Sequence, residues 1–532
     1  MLKEIFLGEE KFFTLNLFFF HVVLILISFA FVYVFSSSTS FAYPLFGLDS
    51  SVFQAVGKFW TEGHLPYVEL FEHKGPLLFL INAIGYAIYP RAGIMVPQII
   101  FLYLSCLLLW RAMEFYSASV AKKIFFLAVM LIFYAAHYEE GNHVEEYSVL
   151  FLSAATWCSL RGLKENKFFP LYGFVYGFGF GACFMIRLSD AATICCQVFL
   201  TAIFLLQDKD FKTFRENFLS FCAGFAMIVL PFVIYFAAHG ALYEMFYGTF
   251  LFNLKYTGVT FHFPFKIQVA YDVFHFLPLI AMIIVGACAL KQNPKNRLMQ
   301  SAIFIGAMPM LMLINLRPYL HYAMIIFPVM PILFAVLDEY GEEFQRILCS
   351  RKSLFKRLMF KGLIILAAIH VVISSFYLKT LYLNEEFTLP IIFSLAYNKR
   401  VELFYSQNQQ KVLELQKIIP ENERKSFVSW GEVRTTSQWI LLTDMKPRER
   451  FFMHNAHHFA IEPSFRQEWF GNVRKDYPLW ILYGTDPDRK PGEPPTTPME
   501  DSELEELLAE KYSLKGEVYI FPQMLKLYRL KE

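Results

Sequence analysis

The chain has 532 residues, 56% hydrophobic and 18% charged, against about 25% charged in an ordinary globular domain, so it carries more apolar surface than a soluble core can bury. A formal net charge of +2 without a long basic run excludes nucleic acid as a partner. The eight cysteines all lie in or beside apolar segments, which argues for apolar fillers between helices and against a disulfide framework or a Cys-ligated zinc site.

The first apolar run, residues 15–35, carries no Asp, Glu, Lys or Arg and is long for a signal-peptide core, which predicts an uncleaved spanning helix. Further spans are predicted at 76–110, 124–138, 147–160, 168–186, 191–206, 218–238, 273–290, 298–315, 322–337 and 363–378, a polytopic α-helical membrane protein of about eleven spans. The basic connectors are Arg111 with Lys122 and Lys123, Arg161 with Lys164 and Lys167, 209–215, 291–297 and 346–361; the positive-inside rule makes them cytoplasmic, with the amino terminus. The run 76–110 would be roughly 50 Å of helix against a hydrocarbon core of about 30 Å, and Pro90, Arg91 and Gly93 break it. Two full crossings there would invert every later connector, so one net crossing with a partial or re-entrant piece is expected.

This arrangement gathers the loop 36–75, the acidic turn 139–146, the turn 187–190, the loop 239–272 and the turn around His321 on the outer face. Ionisable residues collected at one membrane face mark a site. A membrane domain is thus expected over 1–378, followed by an extracytoplasmic α/β domain over 379–532, where Pro, Glu, Lys and Arg return. There, 425–430 and 480–483 read as short buried strands, Ser502 opens a helix to about Tyr512 with a capping-box pattern, and 516–530 reads as a hairpin.

The densest polar cluster follows the first span. Val52, Phe53, Val56, Phe59 and Trp60 recur at helical spacing after Asp49, which predicts a helix along the membrane surface that begins at this carboxylate. A carboxylate so placed can serve as general base on an acceptor hydroxyl or amine, or simply cap its helix. Lys74 precedes Gly75-Pro76 at a helix start, where a cation and helix amides suit a phosphate; an interfacial anchor is the plainer alternative.

Asp49, Gly63-His64-Leu65-Pro66-Tyr67 and His73-Lys74-Gly75-Pro76-Leu77 together resemble the first external loop of bacterial superfamily C glycosyltransferases, within them the protein mannosyltransferase and aminoarabinose transferase group, family 39. The motif covers about thirty residues, and the general layout the whole chain. The resemblance implies transfer of a sugar from a polyprenyl-phosphate carrier to a surface glycan, lipid or protein acceptor, at the outer face of the bacterial inner membrane, with inversion at the sugar. It implies Asp49 as base or acceptor-orienting acid and Lys74 on the carrier phosphate. Many relatives carry a second acid beside the first; Ser50 stands here instead, which argues against a paired-acid metal site at that spot.

The segment Gly141-Asn142 with Glu145-Glu146 also resembles the family, and Glu145 or Glu146 is expected to share the catalytic work with Asp49. Two such carboxylates could take part in acceptor binding, proton transfer or holding a divalent ion; no cofactor is fixed. Arg187, Arg317 and His321 occupy family-like positions and are expected at the donor phosphate, arginine for its bidentate grip. His143 reads as a surface histidine, and His457 and His458 of the tail as structural. Two rivals remain. A flippase or polymerase of lipid-linked glycans would not need the acid paired with Lys-Gly-Pro, and an ion-coupled transporter would place charges near mid-membrane and show repeated halves.

Overall fold

A computed structural model describes most of residues 14–257, 319–335, 409–486 and 501–532, with scattered positions between. The helices are α1 (Thr14–Phe35), α2 (Asp49–Thr61), α3 (Pro76–Ile88), α4 (Met95–Met113), α5 (Val120–His137), α6 (Val144–Glu165), α7 (Pro170–Phe184), α8 (Ala192–Gln207) and α9 (Phe211–Ala238). Among the described residues, five helical stretches are long and apolar enough to cross a membrane: 17–35, 92–116, 120–137, 188–207 and 211–238. Phe18, Leu26, Met227 and Ile234 are exposed on α1 and α9, which suits faces turned to lipid. The predicted spans 273–290, 298–315 and 363–378 lie essentially outside the described residues. Residues 320–326 form a 3-10 helix where the span 322–337 was expected to begin.

The run 76–110 is divided into two helices, α3 and α4, with the break at residues 89–94. Helix α3 has 13 residues, about 20 Å, too short for a hydrocarbon core of about 30 Å. All of it lies at one end of the bundle: Asn82 accepts from Asn142, Tyr86 Oη donates to Gln54, and past its end Arg91 donates to the Ser38 carbonyl. Gln98, in the first turn of α4, meets Ser36, Thr39 and Glu146 at that same end. Of α3 and α4, only α4 therefore runs the length of the bundle. At the opposite end, Arg111 and Lys123 share Glu114, Lys164 donates to the Phe115 carbonyl, and Arg297 pairs with Asp208, so these basic connectors collect together.

The expected surface helix exists as α2 with the expected apolar face, but it is covered on both sides. Ser50, Ser51, Gln54 and Ala55 are buried along with Val52, Phe53, Val56 and Phe59, because α3 packs on one side and the tail domain on the other. Helices α7 and α9 approach closely because a Cβ at Gly173 or Gly177 would stand 2.2 and 1.9 Å from the carbonyl oxygens of Asn217 and Phe221.

The tail carries a four-stranded sheet of order β1-β2-β4-β3, with β1 (Phe427–Trp430), β2 (Trp480–Thr485), β3 (Tyr512–Ile520) and β4 (Gln523–Leu530). Strands β1 and β2 run parallel, Phe427 opposite Trp480, joined by a crossover that holds helices 437–443, 455–461 and 463–475; β3 and β4 form the hairpin. Strand β2 is central and wholly buried, which explains its unbroken apolar run. The helix Ser502–Lys511 is capped one residue earlier than expected: Asp501, not Ser502, accepts from the Leu504 amide, and its carboxylate also takes the Arg466 guanidinium.

Candidate active site

The site begins with how the backbone around Lys74 is held. The amides of Gly75 and Leu77 donate to the carbonyls of Ile186 and Met185, both at 2.9 Å. A Cβ on residue 75 would stand 2.1 Å from the Met185 oxygen, so glycine is the residue that lets these strands of chain meet, and Pro76 then starts α3 without a wasted amide. The contact places Lys74 beside Arg187. Tyr67 Oη donates to the Lys74 carbonyl at 2.8 Å and Asn253 to the His73 carbonyl at 2.7 Å, which fixes the segment from the other side.

Asp49 is positioned by a second set of bonds. Its neighbour Ser50 is fully buried and turned to Gln54 and to Asn142, whose side chain donates to Ser50 Oγ at 2.9 Å. Glu140 takes the Leu48 amide at 2.7 Å. The acidic turn is thereby stitched to the start of α2, with Glu139 and Asn142 at positive φ. The potential ligand groups gathered with Asp49 are His143 of this turn and His321.

These elements enclose a cavity of about 340 Å³ lined by Asp49, Glu72, Lys74, Glu139, Glu140, His143, Glu145, Arg187 and His321, with Tyr256, Tyr319, Tyr322 and His458. Lys74 Nζ lies 2.6 Å from His73 Nε2 and 4.0 Å from Glu72. Arg187 bridges Glu145 at 2.5 Å and Asp190 at 2.5 Å, and its guanidinium sits 4.6 Å over the Tyr322 ring. His321 Nδ1 stands 3.2 Å from Glu139. Burial pushes Glu72 up to about 7 against the pull of Lys74, and burial with the Glu139 charge pushes Glu140 up to about 8. Burial lowers Lys74, with Glu72 and Asp49 opposing.

A second, apolar groove of about 650 Å³ adjoins the first, lined by Phe184, Ile186, Leu188, Phe246, Phe250 and Leu254 among others. The two share His73, Lys74, Arg187, Tyr256 and Tyr322. An apolar channel that ends on a lysine and an arginine, with carboxylates beyond, can hold a lipid phosphate by its tail and its charge together.

Of the residues expected from the sequence, Asp49, Lys74, Glu145, Arg187 and His321 line this one cavity. Glu146 is not among its lining residues: it is buried against Tyr138 Oη, Gln98 and the Asn142 amide. Arg317 lies outside the described residues. His143, expected at the surface, is buried in the cavity wall, and His458, expected to be structural, reaches the cavity from the tail. Glu72, Tyr256 and His458 were missed as site residues. The position of Glu72 within Glu-His-Lys was a usable signal; nothing near Tyr256 or His458 in sequence marks either.

Residues 73–236 match the family model described as dolichyl-phosphate-mannose-protein mannosyltransferase. The fold matches the crystal structure of ArnT from Cupriavidus metallidurans bound to undecaprenyl phosphate, with TM-score 0.55 and 12% identity over 97% of this chain and 98% of that one. The apo form of that protein matches with TM-score 0.53 and 11% identity, over 96% and 98%. The resemblance to family 39 glycosyltransferases of superfamily C holds in sequence and in fold. No curated protein sequence is significantly similar to the chain. The match begins at His73, so the Lys74-Gly75-Pro76 element falls inside it, whereas Asp49 and the tail domain stand outside it, within the span of the fold match only.

Proposed function

We propose that the chain is a multi-pass membrane glycosyltransferase that moves a sugar from a polyprenyl-phosphate carrier to a hydroxyl or amine of a glycan, lipid or protein acceptor. The observation that carries this reading is the junction of the polar cavity with the apolar groove at Lys74 and Arg187. The polyprenyl tail occupies the groove, the phosphate meets Lys74 and Arg187, and the sugar extends toward Asp49. A protein of the same fold binds undecaprenyl phosphate, which supports a lipid carrier of this kind.

In the reaction, Asp49 accepts the acceptor's proton as its oxygen or nitrogen bonds to the anomeric carbon. The bond from that carbon to the phosphate oxygen breaks, and the leaving phosphate keeps the electron pair beside the two cations. One base and one displacement invert the anomeric centre. Glu145 acts through Arg187, which it holds at the junction. The end of the bundle with the cavity faces outward and the end with the basic connectors faces the cytoplasm, in accord with the positive-inside rule, in the inner membrane of a bacterium.

The test is transfer of radiolabelled sugar from a panel of polyprenyl-phosphate sugars to membrane extracts. Asp49→Asn is expected to lower the rate at least about a hundredfold at equal expression, with binding of the carrier kept. Absence of transfer from every donor, with passage of lipid-linked glycan across vesicles, would instead favour a flippase.

A further inference from the structure

The wall of the polar cavity holds a second arrangement that carrier binding leaves unused. Asp49 at the start of α2, His143 just before α6 and His321 in the 3-10 helix come from three separated segments, yet their ligating atoms all lie within 4.8 Å of one another. The imidazoles of His143 and His321 stack with centroids 4.4 Å apart and planes 6° from parallel. His143 is 2% exposed, and its Nε2 has no hydrogen-bond partner among the described residues; a Glu139 carboxylate oxygen is 3.8 Å away. The same Glu139 oxygen stands 3.2 Å from His321 Nδ1.

A buried ring nitrogen facing a cavity beside a second imidazole and a carboxylate needs either a proton and an acceptor at hydrogen-bond distance or a cation. Among the described residues no acceptor stands at that distance. Two nitrogens and one oxygen are the ligand types of first-row transition ions, whereas magnesium and calcium favour oxygen throughout. Glu139, beside His321 Nδ1, would fix that ring as a carboxylate commonly does for a metal-bound histidine. We propose that Asp49, His143 and His321 hold a divalent transition ion of the zinc or manganese kind in the cavity wall. Three protein ligands leave a coordination position open toward the cavity, where an acceptor hydroxyl can bind; this role rests on the transfer reaction proposed above, while the ion site itself does not. One Asp49 oxygen ligates and the other remains to take the proton.

The full chain in lipid nanodiscs, stripped with chelator and dialysed, is titrated with zinc chloride and with manganese chloride, and bound metal is counted by plasma mass spectrometry. A single tightly bound ion is expected, at least about tenfold weaker in His143→Gln and in His321→Gln and unchanged in His458→Gln. That last variant removes a ligand from the separate cluster of Glu72, His73 and His458, so an ion lost only there overturns the proposal; a third cluster, Glu139, Glu140 and His143, lacks His321, so an ion weakened by His143→Gln but not by His321→Gln overturns it as well. Cobalt(II) bound to the wild type is expected to show a visible absorption band of nitrogen ligation, and its absence overturns the proposal without relying on any variant. Transfer activity in a chain that binds no ion would sink this inference and leave the proposed function standing; a bound ion without transfer would do the reverse.

Discussion

Lys74 and Glu72 stand 4.0 Å apart in the lining of the polar cavity, and the second has a measurable consequence. Burial pushes Glu72 up to about 7 from 4.5. Between those values the unfolded chain gives up this proton while the folded chain keeps it, so the contribution of Glu72 to stability is present below about pH 4.5 and is lost as pH rises through about 7. Glu72→Gln has no such loss. Its melting temperature is expected to rise relative to the wild type between pH 5 and pH 8, and a gap that stays flat would rule the buried carboxylate out as its cause. The neighbouring Gly75 was legible as part of a motif but not as a necessity. Its reason is the carbonyl of Met185, more than a hundred residues away in the chain. Gly75→Ala must separate the two backbones and is expected to weaken carrier binding, read as a raised KM.

At the scale of helices, hydropathy located the apolar segments among the described residues, because burial in lipid needs only composition and length. What it could not decide was whether 76–110 crosses once or twice, since a break reads alike in either case. Contacts of Asn82, Tyr86, Arg91 and Gln98 with one end of the bundle support a single crossing. The pairing of α7 with α9 had a signal that went unread: Gly173, Gly177 and Gly181 recur every four residues, the spacing that lets helices close. Gly177→Val is expected to cost about 1–3 kcal/mol or more by forcing α7 from α9. Gly179→Ala is the control, because its new methyl meets the flexible end of Ile194 at 3.1 Å and Phe151 at ordinary contact distances of 3.4 and 3.6 Å. Thermal unfolding in detergent compares the two, and equal losses would discount the close approach.

Across the molecule, the tail domain grips the segment that carries Asp49 and Lys74. Ser51 and Ser437 share a hydrogen bond of 2.6 Å, Gln438 donates to the Gly47 carbonyl at 2.6 Å, and the Phe71 amide donates to the Arg450 carbonyl at 2.8 Å. The Phe71 ring packs among Phe252, Phe451, His458 and Phe465. Phe71→Ala should cost about 3–5 kcal/mol where the tail meets the membrane domain. Faster proteolytic release of the tail, with loss of transfer, is the expected outcome; a tail that stays resistant would place the hold elsewhere.

Membrane character, the run of apolar segments, the helix after Asp49, the strands at 427–430 and 480–485 and the Lys-Gly-Pro element follow from the sequence, because period and composition report what each segment must bury. Partners separated by hundreds of residues do not appear in any local pattern. The meeting of Asp49 with His143 and His321, the pairing of Glu145 with Arg187 and the reach of His458 into the cavity came from the tertiary structure alone. Periodicity shows which face of a helix is covered, and only packing chooses the neighbour that covers it.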